Sequence, residues 1–194
     1  ITIVNHGAIE NIARNWNVIG LASIDNGAIV NFTNTGTITL GTDTFGSKNK
    51  YYGGVVATDS TDEINFDNSG TIQSSRRLFK LDGTTNFTLT NSGTIKQDNF
   101  AHHNVGDSDA PITHDYSTIQ VGTSGSGVTI INSGTISASH QNNHGITIGD
   151  NTEDAAHSNA TIENSGTISA GSDDFARAII IIPSASGTIT SGTT

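Results

Sequence analysis

The stretch Asp67-Asn68-Ser69-Gly70-Thr71-Ile72 decides the fold, because its core returns four more times along the chain. The other copies are Thr33-Asn34-Thr35-Gly36-Thr37-Ile38, Thr90-Asn91-Ser92-Gly93-Thr94-Ile95, Ile131-Asn132-Ser133-Gly134-Thr135-Ile136 and Glu163-Asn164-Ser165-Gly166-Thr167-Ile168. A degenerate sixth copy, Asn5-His6-Gly7-Ala8-Ile9, precedes them, and successive glycines are 29, 34, 23, 41 and 32 residues apart. A constant core at variable spacing predicts one repeated structural unit with connections of variable length.

Each unit has the same internal order of short apolar stretches. A first strand is predicted at 18–21, 55–57, 78–81, 119–121, 146–148 and 179–182. After a polar turn, which in the last coil is predicted at 183–187, a second strand is predicted at 29–32, 64–66, 87–89, 128–130 and 160–162. The N-[ST]-G corner then leads into a third short strand that begins Thr-Ile. Three strands per repeat predict an all-β, right-handed parallel β-helix, or β-solenoid, of about six to seven coils.

Stacking of the coils about 4.8 Å apart places equivalent residues in columns. One buried column is predicted to contain Ile38, Ile72, Ile95, Ile136 and Ile168, and another Phe32, Phe66, Leu89, Ile130 or Ile131, and Ile162. The structural corner is assigned to Asn34, Gly36, Asn68, Gly70, Asn91, Gly93, Asn132, Gly134, Asn164 and Gly166. We expect glycine there because the chain turns with positive φ and without room for a Cβ atom. Each corner asparagine is expected to bond to its counterpart one coil away, forming an Asn ladder.

The repeat predicts a single solenoid domain over residues 1–194. Its coils are placed near 1–9, 10–40, 41–73, 74–96, 97–137 and 138–169, with an incomplete coil at 170–194. A β-sandwich or roll remains the alternative fold. Such a fold favours two-residue hairpin turns, and only Asn26-Gly27 and Asp82-Gly83 fit that pattern.

Composition narrows the class of protein. Thr, Gly, Ser and Asn number 28, 22, 21 and 20, and 33 Ile and Val residues outnumber 5 Leu residues, which favours strands over helices. The net charge is −10, and the sequence contains no run of basic residues of the kind that a nucleic-acid binder carries. No apolar run approaches the roughly 18 residues of a membrane-spanning helix, so no membrane insertion of this segment is expected. The absence of Cys excludes disulfides and thiolate sites.

The repeated N-[ST]-G-T-I motif in a chain rich in Gly, Asn, Ser and Thr resembles the passenger regions of bacterial autotransporters and related secreted β-helix adhesins. The resemblance covers nearly the whole chain, from Val4 to about Thr190. It implies an extracellular or cell-surface, structural or adhesive solenoid without a cofactor. Its partner would be another copy of itself or a host or cell-surface glycan or protein. A head-to-tail polymerising filament subunit and a polysaccharide-degrading enzyme remain alternatives.

The long loops are predicted at 40–54, 96–117, 137–145 and 169–177, all leaving the rod along one edge. Function in a solenoid is concentrated in such loops, because the coils themselves are needed for stacking. Loop 96–117 carries His102, His103 and His114, and the segment 139–144 beside it carries His140 and His144. The spacing of these histidines matches no zinc motif, so we expect solvated loops and no metal site. If a metal were bound, its weak candidate ligands would be His102, His103, His114 and His144.

An enzymatic site has little support in the sequence. Asp173-Asp174 and Asn143-His144-Gly145 resemble the D-D and G-H-G elements of β-helical pectin-degrading hydrolases. Their order along the chain is reversed, and the expected R-x-K partner is missing. Neither G-x-S-x-G nor G-x-G-x-x-G occurs. We therefore expect no catalytic and no cofactor-binding residue.

Overall fold

The computed structural model describes residues 1–11, 19–20, 29–40, 55–58, 63–74, 78–82, 85–97, 117–121, 126–139, 143–149, 157–172, 176–181 and 185–191. These residues form strands, turns and short connections, without a helix. In chain order the strands are β1 Thr2–Asn5, β2 Ala8–Asn11, β3 Ile19–Gly20, β4 Ile29–Asn34, β5 Thr37–Leu40, β6 Val55–Thr58, β7 Glu63–Asn68, β8 Thr71–Ser74, β9 Phe79–Asp82, β10 Thr85–Asn91, β11 Thr94–Gln97, β12 Ser117–Val121, β13 Ser126–Asn132, β14 Thr135–Ala138, β15 His144–Ile148, β16 His157–Asn164, β17 Thr167–Ser169, β18 Ile179–Ile181 and β19 Ala185–Ser191.

Every third strand belongs to the same parallel sheet. Sheet A contains β1, β4, β7, β10, β13, β16 and β19 in that order; sheet B contains β2, β5, β8, β11, β14 and β17; sheet C contains β3, β6, β9, β12, β15 and β18. All sixteen pairings between described strands are parallel and join each strand to its counterpart one coil away. The prediction of a parallel β-helix of six to seven coils is thereby confirmed. The three sheets are separate faces and do not close into a single sheet.

The core is built from the columns that the repeat predicts. Ile38, Ile72, Ile95 and Ile136 are fully buried, and Ile168 in the sixth coil is partly buried. In the second column Leu89 pairs with Ile130, which is buried, so the choice between Ile130 and Ile131 falls on Ile130. Alternation along each strand explains this result, because only every second side chain can enter the core.

Four phenylalanines fill the core of the N-terminal half. The rings of Phe32 and Phe66 stack with centroids 4.6 Å apart, and Phe66 meets Phe79 edge to face at 5.2 Å. Phe79 and Phe87 lie 6.5 Å apart in a second edge-to-face contact. A neighbouring column shrinks from Phe87 through Val128 and Ala160 to Gly187. Side-chain volume in this column therefore decreases toward the C-terminal coils.

Strand β19 extends over a position that the sequence pattern assigned to a turn. Gly187 is expected in the turn after the last first-type strand, yet it pairs with Ala160 inside β19. Pairing with β16 explains why β19 includes Gly187. Its parallel ladder pairs six residues with β19 and outweighs the turn preference of an isolated Ser-Gly pair.

Candidate functional site

The edge between sheets A and B has the same construction in every coil. Two residues, [ST]-G or His6-Gly7, connect each sheet A strand to the following sheet B strand. The Ser and Thr residues of these corners are exposed, at Thr35, Ser69, Ser92, Ser133 and Ser165. A two-residue corner leaves no room for an insertion. This edge is therefore the constant side of the rod.

A ladder of buried asparagine amides joins the corners. Asn5 Nδ2 donates to Asn34 Oδ1 at 2.8 Å, and Asn34, Asn68, Asn91 and Asn132 each donate to the next asparagine at 2.7 Å. Each of these amides also donates to the carbonyl oxygen of its own corner glycine, at 3.2–3.3 Å. Because the side chains are buried, each ladder bond satisfies groups that would otherwise lack water.

The corner glycines are required by close backbone contact and not by their φ angle. Within the described residues, positive φ occurs at Asn86, Gly127 and Gly149 and at no corner glycine, so that part of the expectation is wrong. A Cβ atom on Gly70 would lie well within 3.0 Å of the carbonyl oxygen of Gly36 one coil away. The corner chain is pulled this close because Ser69 and Gly70 N–H groups both donate to Asn34 O. Gly7, in the first coil, has nothing within 4 Å of that position.

The edge between sheets B and C carries the connections of variable length. Two of them, 41–54 and 98–116, lie outside the described residues, and so do 140–142 and 173–175. The structure therefore describes only the strand ends that flank the predicted loops 40–54, 96–117, 137–145 and 169–177. The shortest gap between described strands at this edge is 75–78, from the end of β8 at Ser74 to the start of β9 at Phe79. Insertions of different length thus start from one side of the rod.

The strand ends that flank residues 98–116 and 140–142 are fixed by buried polar contacts. Gln97 O accepts the N–H of Ser139 at 3.0 Å and its hydroxyl at 2.9 Å. Thr118 Oγ1 lies 3.1 Å from Ser137 O and 3.3 Å from Gln97 Oε1. Ser117 and Thr147 share a hydrogen bond between their hydroxyl groups. Gln97, Thr118 and Thr147 are buried, so the Thr118–Gln97 and Ser117–Thr147 contacts are shielded from water, whereas Ser139 is exposed.

Of the four candidate histidines, His102, His103 and His114 lie outside the described residues. His144 is 4% exposed, in β15, and its Nδ1 accepts the backbone N–H of Arg177 at 3.1 Å. With Nδ1 used as an acceptor, the neutral ring carries its proton on Nε2. In a metal-binding histidine one ring nitrogen binds the metal and the other donates a hydrogen bond. In His144 the nitrogen that makes the hydrogen bond accepts instead. The described residues contain no group of three potential metal ligands.

The segments that resemble hydrolase elements are not brought together as a site within the described residues. Asp173 and Asp174 lie outside them. Asn143, His144 and Gly145 are buried, and a Cβ atom on Gly145 would lie 2.6 Å from Ala178 O. This backbone contact leaves no open surface at Gly145 for a substrate. Gly145 therefore acts in packing here.

The structure also contains a buried polar group that the sequence pattern did not reveal. Every residue of β12 and β15 is buried, including Thr118, Gln120 and Thr147. Alternation alone would place one side of each strand in solvent. Among the described residues, Gln120 Oε1 and Asn143 Nδ2 are buried and have no hydrogen-bond partner. The nearest sequence signal is the run Ser117-Thr118-Ile119-Gln120-Val121, whose polar members are short or uncharged.

Comparison with known proteins yields no relative. No protein family, no curated protein and no solved structure matches the chain. In the part of the chain that the structure describes, no helix is long and apolar enough to cross a membrane.

Proposed function

We propose that the chain is an extracellular structural and adhesive β-solenoid of the autotransporter-passenger type, located at a bacterial cell surface. In this role the stacked coils form a stiff support, and the loops of the sheet B–sheet C edge contact a surface glycan, a surface protein or another copy. The function is one of presentation and attachment. It uses no cofactor and makes no covalent change in its partner.

One observation carries this proposal: the sheet A–sheet B edge and the sheet B–sheet C edge of the rod differ in how much their connections vary. The sheet A–sheet B corner is two residues long in every coil, while at the sheet B–sheet C edge the gap between strands varies from 75–78 to 98–116. A purely structural rod would have no need of long insertions. Loops on a rigid scaffold are the usual place for recognition, because they can vary without disturbing the core.

The anchoring of the loop ends supports the same role. Gln97, Thr118 and Ser139 hold the two strands that flank residues 98–116 to the neighbouring coil. Fixed ends reduce the conformational freedom that a loop loses on binding, which favours affinity. The hydrogen-bonded corners also leave few exposed backbone groups for a protease to engage.

The test uses a shorter connection that the chain itself provides. Residues 98–116 are replaced by Ser75-Arg76, which leaves four residues between Gln97 and Ile119, as many as separate their partners Ser74 and Phe79 one coil earlier. We expect the variant to keep its β-sheet circular dichroism and protease resistance but to lose binding to bacterial or host-cell glycan and protein surfaces. The matched control replaces residues 150–156, which connect sheet C to sheet A, with Asp82-Gly83-Thr84.

The outcomes separate the possibilities. Loss of binding in the first variant and retention in the second supports presentation by the sheet B–sheet C edge. Binding that survives both replacements would contradict the role of that edge. Release of reducing ends or of unsaturated products from acidic polysaccharides by the unmodified chain would contradict a non-enzymatic function.

A further inference from the structure

The outer face of sheet B carries a column of threonines, one in each coil from the second to the sixth. Ile38 and its counterparts point into the core, so by strand alternation the residue before each of them points outward. That residue is threonine in all five coils, and parallel pairing aligns it from coil to coil. This threonine column consists of Thr37, Thr71, Thr94, Thr135 and Thr167. In the first coil Ala8 occupies the position.

The stack itself does not require threonine in this column. The outward residue two places further along each strand differs from coil to coil and is Thr39, Gln73, Lys96, Ser137 or Ser169. The same sheet therefore accepts long, charged and short polar side chains. The asparagine, glycine and isoleucine of the motif recur because they form the ladder, the corner contact and the core. The recurring threonine has no such packing role, which indicates a role at the surface.

The backbone holds the threonine column at a fixed spacing. Thr94 N–H donates to Gly70 O at 2.9 Å, and Thr94 O accepts Asn68 Nδ2 of the ladder at 3.4 Å. The other four threonines make the same two contacts in their own coils. No hydrogen bond within the described residues uses a hydroxyl of the column. Because threonine is also restricted at χ1, the five hydroxyls form a preorganised, unpaired row.

The chemistry of this face disfavours most macromolecular partners. From the second to the sixth coil, Lys96 is the one charged residue among the outward residues of sheet B, although the chain has 8 basic and 18 acidic residues. The face has no Trp, Tyr or Arg to anchor a protein, and one lysine does not attract a nucleic acid. Free hydroxyl and methyl groups in a regular row instead fit an uncharged ligand with a regular spacing of its own.

We propose that the threonine column binds ice. In ice, O–H···O bonds of about 2.75 Å and tetrahedral geometry place second-neighbour oxygens about 4.5 Å apart. The coils repeat about every 4.8 Å, so the threonine hydroxyls can replace a row of lattice oxygens. The mismatch of about 0.3 Å per coil amounts to about 0.6 Å at either end of the column when Thr94 is centred. Rotation of each hydroxyl can absorb a displacement of this size.

Ice suits this face better than a neutral glycan does. A glycan would exchange its hydrogen bonds to water for bonds to these hydroxyls, with little net gain in free energy. Ice consists of water, so the same exchange does not oppose its binding. The threonine column lies on sheet B itself and uses none of the loops at the sheet B–sheet C edge. The inference therefore goes beyond presentation and does not depend on it.

The experiment measures thermal hysteresis, the gap between the melting and freezing temperatures of an ice crystal, in solutions of the full chain. The unmodified chain should show hysteresis and give faceted crystals. Thr94→Lys places a long charged side chain in the middle of the column and should abolish both effects. The matched control is Thr88→Lys, which changes a residue of the same coil that is also half-buried but lies on sheet A. It should leave the hysteresis unchanged.

Hysteresis no greater than that of serum albumin at the same concentration would overturn the inference. Equal loss in Thr94→Lys and Thr88→Lys would overturn the assignment to the threonine column. Circular dichroism checks that each variant is folded, and Thr135→Lys provides the same test one coil away if Thr94→Lys fails to fold.

A second assay separates ice from a glycan. Binding to insoluble cellulose or chitin that Thr94→Lys removes, in a chain without hysteresis, would overturn ice as the ligand of this face. Loss of hysteresis in Thr94→Lys with retained binding to cell surfaces would support the inference and leave the presentation function standing.

Discussion

At the scale of single residues, glycine recurs at the corners because the backbones of adjacent coils lie very close together there. The corner backbone approaches the previous coil so closely that even a methyl group has no space, except in the first coil. The constraint therefore comes from the stack and not from local backbone conformation. An isolated repeat peptide would not be subject to it.

The paired substitutions Gly93→Ala and Gly7→Ala test this origin. In Gly93→Ala the new methyl group would meet the carbonyl oxygen of Gly70, so the backbone of one coil must shift. We expect a loss of about 3 kcal/mol in the free energy of unfolding. Gly7→Ala meets nothing and should change it by less than about 0.5 kcal/mol. Chemical denaturation monitored by circular dichroism gives both values, and equal losses would show that the glycines are needed for conformation instead.

The ladder asparagines give a second prediction, with Asn91→Ala compared to Asn164→Ala. Asn91 is fully buried and bonds to both Asn68 and Asn132, so its removal takes the ladder bond from Asn68 Nδ2 and from Asn132 Oδ1. Asn164 is bonded to one ladder asparagine within the described residues, Asn132, and its Nδ2 donates to Gly166 O at 3.1 Å. We expect about 3 kcal/mol of destabilisation for Asn91→Ala and about 1 kcal/mol for Asn164→Ala. Thermal melting of the two variants measures the difference, and a larger shift for Asn164→Ala would refute the ladder as the source of stability.

At the scale of strands, the sequence predicts the central residues of each strand well, but it does not predict what packs against the outer side of a strand. Stretches such as 64–66 and 119–121 lie inside β7 and β12, because alternating apolar residues beside a fixed corner have one possible register. The buried state of Gln120 and Thr147 could not be predicted in this way. Neither the pattern along one strand nor the repeat indicates what packs on its outer side. The same limit applies to His144, whose role depends on Arg177, 33 residues away.

Core side-chain volume decreases toward the C-terminal coils, and two substitutions test the consequence for stability. Phe66 and Ile162 occupy the same column, but Phe66 contacts two other rings while Ile162 lies beside the narrowing column at Ala160. We expect Phe66→Ala to lower the free energy of unfolding by about 4 kcal/mol. It should also raise the rate of amide exchange throughout the coils that contain β4, β7 and β10. Ile162→Ala should cost about 3 kcal/mol or less and raise exchange mainly in β16 and its neighbours. Exchange measured by mass spectrometry distinguishes the two, and identical profiles would contradict a core that weakens toward the C-terminal coils.

At the scale of the whole molecule, the described strands pair only with their counterparts in adjacent coils, so stability should behave as a sum over coils and the contacts between them. The architecture is predictable from sequence for this reason: a pattern that works for one coil works for all. The function is less predictable, because the loops that we propose to carry it follow no repeat. The chain separates an invariant scaffold from segments such as 98–116 that the scaffold does not specify.

Removal of one complete coil tests this additivity. Deletion of residues 69–91 joins Asn68 directly to Ser92, which restores the N-S-G corner and removes β8, β9 and β10, one strand from each sheet. Ile38 would then stack on Ile95, and Phe66 on Ile130, in the existing columns. We expect a folded protein with native-like circular dichroism and a smaller denaturant m-value, because less surface is exposed on unfolding.

Deletion of residues 85–91 alone is the matched control. It removes β10 from sheet A and leaves sheets B and C unchanged, so one coil would have two sides where the stack requires three. We expect this shorter deletion to abolish cooperative unfolding, although it removes fewer residues than the complete coil. If the 85–91 variant were the more stable of the two, the coil would not be the unit in which this chain folds. The comparison thus tests the three-strand repeat by its energetic consequences, independently of any image of the particle.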